Sequence, residues 1–224
     1  MSTTSFQLPP LAKSFFEEVT MKYAPDAKIV KKSESWLIKA IGWLLKPFNP
    51  DFMSTYITTL GRIIYVPDQF FQEDEDQCLG VLAHETQHII DYQKNPVWFS
   101  LSYLFPQCLA ALSLFALFGL LNPWMFLFLL ALGFLAPLPA PFRYQYELRG
   151  YRVSILLGRV FYRYGPSEMS QIKDWFKKQM TTGNYYFAWP FATKIDQDLE
   201  DESFITEPRY QEIVLFLRAH QKIA

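Results

Sequence analysis

The stretch His84-Glu85-Thr86-Gln87-His88 decides the fold, because it places two histidines four positions apart within one helical segment. Residues i and i+4 lie on the same face of an α-helix, so both imidazoles can reach a single metal ion. The glutamate next to the first histidine is then placed to hold and deprotonate a water molecule. This HExxH pattern predicts a zinc site on a helix.

The residues before the motif predict a small β element and the start of that helix. Residues 56–66 are rich in β-formers, with a break at Leu60-Gly61 and an end at Pro67-Asp68, which predicts two short strands. Acidic residues 73–76 follow, and their charges favour the positive N-terminal end of a helix that continues to about Lys94. A strand therefore directly precedes the helix that carries the motif.

The residues after the motif form an uncharged run. From Asn95 to Phe142, 48 consecutive residues include no Asp, Glu, Lys, Arg or His. The run divides at Asn122-Pro123, so residues 97–141 predict an apolar α-hairpin. One crossing of a bilayer needs about 20 residues, which the first half supplies and the second half nearly supplies. We expect the hairpin to enter a lipid membrane, with burial in an oligomer or a larger assembly as the alternative.

Basic residues lie on both sides of the hairpin, namely Lys94 before it and Arg143, Arg149 and Arg152 after it. The positive-inside rule then places the metal site on the cytoplasmic side of the membrane. The start of the chain lacks the basic and apolar regions of a secretory signal, which agrees with a cytosolic N-terminus. We therefore expect an integral membrane protein whose metal site faces the cytoplasm.

Composition excludes two other classes of protein. The formal net charge is −1, which leaves no basic excess to bind a phosphate backbone, so nucleic acid is not an expected partner. The two cysteines, Cys78 and Cys108, lie in a charged helix and in the apolar run. They supply neither a disulfide framework nor a CxxC metal site.

A catalytic zinc site needs a third protein ligand. The metzincin pattern would require glycine at position 91 and histidine at 94, whereas the chain has Asp91 and Lys94, so that class is excluded. A hairpin returns the chain to the side it left, so the helix after it emerges beside the motif helix. Glu147 on that helix is the predicted third ligand and Asp91 is its rival. The alternative role for Glu147 is an ordinary ion pair with Arg143 or Arg149.

The remaining pattern is helical, with predicted helices at 12–24, 35–48, 143–164 and 166–180 and a last one that opens at Pro208. The helix at 35–48 suits either a membrane interface or a half-buried position in a soluble core. The expected fold is therefore mainly α with a small β element, with the apolar α-hairpin inserted between the two metal-binding helices. A length of 224 residues favours a single domain, 1–224.

This order of elements resembles that of the M48-type membrane gluzincins, the group of the CAAX prenyl endopeptidase and the bacterial membrane stress protease. The resemblance covers about residues 56–160 and rests on a strand, HExxH, an uncharged hairpin and a helix with a glutamate. It implies an α+β zincin-like core in which His84, His88 and Glu147 bind Zn²⁺ and Glu85 is the general base.

Tyr151 lies where that family usually has an aspartate, four residues after the ligand glutamate. A tetrahedral oxyanion needs a hydrogen-bond donor besides the metal, and the candidates on or near this helix are Tyr144, Arg149, Tyr151 and Arg152. The residues alone leave the choice among the four open, and the resemblance favours Tyr151 as the catalytic residue beside Glu85 because of its position. HETQHIID, LPAP and ELRGY are also similar to stretches of uncharacterised metallopeptidases predicted in tailed bacteriophages, a similarity without a known substrate.

These inferences predict a zinc-dependent endopeptidase that hydrolyses a peptide or protein substrate. Glu85 is expected to take a proton from water and to deliver it to the leaving amine. The strand at 62–66 is expected to pair with an extended substrate along a free edge. The alternative is a non-catalytic, zinc-stabilised membrane or virion interaction protein that retains the peptidase fold, and a third hypothesis is an accidental HExxH. An intact Glu85 favours the enzyme, because a purely structural site does not need a base.

Overall fold

A computed structural model describes residues 8–46, 49–136, 138–182, 188–201 and 203–221. This part of the chain is mainly helical with a three-stranded sheet, so the expected mainly α fold with a small β element is confirmed at that level. It divides into two compact units, Met1–Lys94 with Val153–Arg163 and Phe204–Ala224, and Asn95–Arg152 with Tyr164–Ser203. The single domain and the zincin-like core stay predictions.

The first unit combines the sheet with the motif helix. Its α-helices are α1 (Pro10–Phe15), α2 (Met21–Tyr23), α3 (Trp36–Leu45), α4 (Glu75–Lys94) and α9 (Pro208–Ala219), and its strands are β1 (Lys28–Lys31), β2 (Thr58–Leu60) and β3 (Ile63–Val66). A π-helical stretch, Phe16–Thr20, joins α1 to α2, and a second one, Leu157–Phe161, belongs to this unit. Short 3₁₀ turns occupy Lys32–Glu34 and Asp68–Gln72. A third, Ser203–Thr206, precedes α9 and belongs to this unit from Phe204 onward.

The N-terminal helical segment packs against α4. The backbone N–H of Leu11 donates to Oε1 of Glu75 at 2.8 Å, at the first turn of α4. About three turns further along α4, the hydroxyls of Thr20 and Thr86 share a hydrogen bond of 2.7 Å inside the core. The stretch of α4 that carries the motif is consequently held on a packed scaffold.

The sheet confirms two predicted strands and corrects one prediction. β2 and β3 are antiparallel and joined at a turn in which Gly61 has a φ of +65°, a backbone conformation that favours glycine. β1 pairs with β3 in parallel on the other side, so the order is β1-β3-β2. The predicted free edge at 62–66 is therefore wrong, because β3 is the central strand. β1 escaped prediction because it has only four residues, two of them lysines.

The second unit contains the apolar run. Its helices are α5 (Pro96–Tyr103), two 3₁₀ helices, Gln107–Leu120 and Pro123–Leu135, then α6 (Pro141–Leu156), of which residues up to Arg152 belong here, α7 (Pro166–Thr181) and α8 (Ala192–Glu200). The two 3₁₀ helices pack against each other and are called the apolar hairpin below. Nε2 of Gln107 donates to the carbonyl of Leu138 at 3.5 Å and closes its base.

The apolar hairpin differs from the predicted one in two respects. Its turn lies at Leu121–Asn122, as expected, but both arms are wound as 3₁₀ rather than α-helices. Both arms are apolar on every side, so no periodicity in the sequence distinguishes the two windings. The start of the predicted first arm forms the separate helix α5, which packs against α6 through a 3.0 Å hydrogen bond between Ser102 and Tyr146.

By length and composition, the described residues contain no single helix suited to crossing a membrane. One pair of helices, Pro96–Tyr103 with Gln107–Leu120, meets the criterion when taken together and is bent by 87°. The exposed side chains of the apolar hairpin are nevertheless large and apolar, with Leu117, Leu120, Leu121 and Leu130 each more than three-quarters exposed.

Candidate metal centre

The structure brings together the three residues that the sequence predicts as ligands. His84 and His88 lie one turn apart on α4, and Glu147 lies in the middle of α6. All three are buried, and one ligand atom from each lies within 4.8 Å of the others. A buried His-His-Glu group of this kind could bind a metal ion.

The donor set fits zinc. The Nε2 atoms of His84 and His88 are 3.2 Å apart, and their rings meet edge to face at 4.9 Å between centroids. Two Zn–N bonds of about 2.0–2.1 Å at a tetrahedral angle place the nitrogens about 3.3 Å apart. Two imidazoles with one carboxylate are also a known catalytic zinc ligand set. The separation and the chemistry of the donors agree with that site.

Glu85, the predicted general base, is held by a strand. The hydroxyl of Thr59 donates to Oε2 of Glu85 at 2.6 Å. Thr59 is the central residue of β2, which lies at an edge of the described sheet. One carboxylate oxygen of Glu85 is thereby fixed, which orients the side chain.

The rival ligand and the predicted oxyanion donors have other surroundings. Asp91 is buried on α4, 3.8 Å from Nζ of Lys94, and is not part of the group. Tyr151 is 2% exposed and its ring stacks on Phe176 with centroids 4.1 Å apart. Its catalytic role stays a prediction.

The other three predicted oxyanion donors lie on α6 and contact either neighbouring side chains or residues of α8. The hydroxyl of Tyr144 donates to Asp198 at 2.5 Å, and burial together with this carboxylate raises the Tyr144 pKa far above its usual value. Arg152 donates to the carbonyl of Asp198 at 3.3 Å. The guanidinium of Arg149 lies 5.2 Å from the centre of the Tyr146 ring. These contacts anchor α6 and its neighbours.

A buried lysine lies in the electrostatic field of Glu85. Lys32 is 1% exposed, and its Nζ donates to the carbonyl of Phe52 at 2.6 Å while lying 3.8 Å from the centre of the Phe52 ring. Burial lowers the Lys32 pKa from 10.5 to about 8, and the negative charge of Glu85 opposes part of that decrease. Lys32 is therefore one group through which folding of the first unit responds to alkaline pH.

This pKa predicts a pH dependence of stability with a defined sign. The folded state releases the Lys32 proton at lower pH than the unfolded state does, so the cost of burying the charge disappears as pH rises through the folded pKa. Between about pH 7 and about pH 9.5, the unfolding free energy of the native chain should rise by about 2 kcal/mol relative to that of Lys32→Met. Urea unfolding in detergent at both pH values measures this difference. The exposed Lys39→Met is the matched control, and its unfolding free energy should rise with pH as much as that of the native chain. An equal rise for Lys32→Met would contradict the prediction.

Sequence reasoning missed two residues of the site, Thr59 and Tyr103. The hydroxyl of Tyr103 donates to Oε1 of Glu147 at 2.5 Å. Each of the two acidic side chains of the site therefore accepts a hydrogen bond from a neutral hydroxyl. For Tyr103 the only signal in the sequence is that it is one of the few polar side chains of the uncharged run. For Thr59 it is the position in a strand just before the motif helix.

Comparisons with protein-family models, with characterised proteins and with solved structures find no match to this chain. The likeness to the membrane gluzincins therefore stays a prediction that rests on the motif and the order of elements.

Proposed function

We propose that the chain is a zinc-dependent endopeptidase, anchored in a lipid membrane by its apolar hairpin. The observation that carries this proposal is the buried group of His84, His88 and Glu147, with Glu85 next to the first ligand. Catalytic zinc sites have three protein ligands and an open fourth position, whereas structural sites fill that position with protein. No fourth His, Cys, Asp or Glu of the described residues joins the group.

The chemistry needs one bound ion and one base. When bound, Zn²⁺ supplies a Lewis acid that polarises a peptide carbonyl and lowers the pKa of water to about 7. Glu85 accepts a proton from the attacking water at Oε1, because Oε2 already accepts the hydrogen bond from Thr59. It then gives the proton to the nitrogen of the leaving amine as the C–N bond breaks. The products are a carboxylate and an amine.

An extended substrate has an edge available beside the base. β2 lies at an edge of the sheet, and its central residue is the one that holds Glu85. A peptide that pairs with β2 gains backbone hydrogen bonds with little demand on its sequence. A cavity of about 180 Å³, lined among others by Ile57, Phe70 and Val81, opens next to this strand and could receive one side chain. β2 thus takes the role that the sequence suggested for residues 62–66.

Two features of the apolar hairpin support its place in a membrane. Its exposed leucines form an apolar surface of a kind that water-soluble proteins rarely leave uncovered. Its arms contain 14 and 13 residues. At the 3₁₀ rise of about 2.0 Å per residue, each arm is shorter than the about 30 Å of the hydrocarbon core, so the hairpin can enter that core without either arm crossing it. Backbone hydrogen bonds within each arm satisfy the polar groups that lipid cannot.

The experiment that tests this proposal measures bound metal and peptide cleavage in the same preparation. We expect detergent-purified protein, prepared without chelator, to contain one zinc per chain by elemental analysis and to cleave an unfolded protein substrate. Chelation should abolish the cleavage and added Zn²⁺ should restore it. Glu147→Ala should lose at least about nine-tenths of the zinc, because an open two-histidine site binds the ion weakly.

The matched control is Glu17→Ala, which removes an exposed carboxylate 3.8 Å from Lys13. It should keep both zinc and activity. Native protein without zinc would contradict the proposal. One zinc per chain with no cleavage of any peptide would instead support the zinc-stabilised interaction protein.

A further inference from the structure

We infer that Tyr103, from the uncharged run, positions Glu147 for metal binding. The inference rests on the metal site of the proposed function but not on its peptidase activity. The hydroxyl of Tyr103 is 2.5 Å from Oε1 of Glu147. This distance lies in the range of charge-assisted O–H···O⁻ hydrogen bonds, which are about 2.5–2.7 Å long and stronger than neutral ones.

A glutamate ligand needs such a partner more than a histidine does. Its side chain has three rotatable bonds, and each of its two oxygens can accept hydrogen bonds or bind a metal. Glu147 is only 1% exposed, so water does little to orient it. The Tyr103 hydroxyl donates to Oε1, which restricts the rotation of the carboxylate. Partners of this kind orient metal ligands and raise affinity.

Tyr103 is itself held on several sides. Its ring contacts those of Phe99 and Tyr146, with centroid distances of 5.7 Å and 6.2 Å. The guanidinium of Arg143 lies 5.4 Å from the ring centre, and its Nε donates to the Tyr103 carbonyl at 3.1 Å. These contacts fix both the ring and the backbone of Tyr103, so its hydroxyl has a defined position before any metal arrives.

The arrangement links two helices through one turn of α6. Arg143 and Glu147 are four residues apart on α6, and Tyr103 at the end of α5 contacts both. Arg143 also donates to Oε1 of Gln107, at the start of the apolar hairpin, at 2.9 Å. The last turn of α5 therefore helps to position Glu147, and it also connects the chain to the apolar hairpin.

The test compares two tyrosine-to-phenylalanine variants of the full chain. Tyr103→Phe removes the hydroxyl that contacts Glu147. Tyr146→Phe is the matched control, because its hydroxyl belongs to the same aromatic group but shares a 3.0 Å hydrogen bond with Ser102. We expect Tyr103→Phe to weaken Zn²⁺ binding by about 10- to 100-fold, measured by competition with a chromophoric chelator, and Tyr146→Phe to weaken it by less than about threefold.

Two further readouts separate positioning from loss of structure. Thermal unfolding of the metal-free proteins should be similar for both variants, while the visible absorption of bound Co²⁺ should change only in Tyr103→Phe. In a Glu147→Gln background, Tyr103→Phe should have no additional effect on metal affinity, because its action passes through the carboxylate. Equal affinity of Tyr103→Phe and native protein would overturn the inference and leave the zinc site intact. Native protein that binds neither Co²⁺ nor Zn²⁺ would contradict the proposed function itself.

Discussion

Glu85→Gln is expected to retain its zinc and to lose peptide hydrolysis by about 10³-fold in kcat. The amide has the shape of the carboxylate but cannot accept the proton from water, whereas His84, His88 and Glu147 remain in place to hold the ion. The hydroxyl of Thr59 can still donate to the amide oxygen, so the strand contact survives. Zinc content and initial cleavage rates, measured on one preparation, check both halves of the prediction.

Glu17→Gln is the control for Glu85→Gln, since it makes the same chemical change on an exposed part of the first unit. It should keep the native rate. Full cleavage by Glu85→Gln would exclude Glu85 as the base and would leave the metal site in need of another proton acceptor. Loss of zinc from Glu85→Gln would show instead that the residue contributes to metal binding.

Removal of the apolar hairpin is expected to abolish membrane binding while leaving the metal site occupied. Residues 109–135 can be replaced by a short glycine-serine linker, because Gln107 and Leu138 already meet at the hairpin base. Each leucine that leaves water for lipid contributes about 1.5–3 kcal/mol, and both arms expose several. In flotation with vesicles of neutral and anionic phospholipid, the native chain should rise with the lipid. The deletion variant should stay at the bottom with one zinc per chain.

The control for this deletion addresses the other apolar surface. Trp36 and Trp43 on α3 are 79% and 78% exposed and lie seven residues apart, on one face of that helix. Replacement of both by serine should reduce flotation far less than the deletion does. Flotation of the deletion variant would contradict anchoring by the hairpin. A native chain that does not float and forms large oligomers would favour burial of the hairpin in an assembly.

The motif helix could be predicted closely from the sequence because several signals agree. Acidic residues mark its start, the histidine spacing fits its period, and the uncharged run begins immediately after it. The structure gives α4 as Glu75–Lys94, within two residues of the expected start. Glu147 could be proposed as a partner because a hairpin returns the chain to its origin. Asn122-Pro123 divides the uncharged run into two arms, and this division alone predicts that the chain turns back.

The parts that escaped prediction depend on contacts between distant residues. β1 is too short to carry a pattern of its own, and only its pairing with β3 makes it a strand. The pairing of Thr59 with Glu85 and of Tyr103 with Glu147 spans 26 and 44 positions, and each joins residue types that are common in many other roles. The 3₁₀ winding of the apolar hairpin likewise has no periodicity in the sequence to reveal it.

The position of Glu147 after the hairpin also sets the order in which the site can be completed during protein synthesis. The ribosome makes His84 and His88 first, then all 48 uncharged residues, and only then the third ligand. A chain that stops within the uncharged run carries two histidines and the base but no Glu147. Incomplete products therefore lack the three-residue group, and under the proposed function a chain that stops within the run would not hydrolyse peptides.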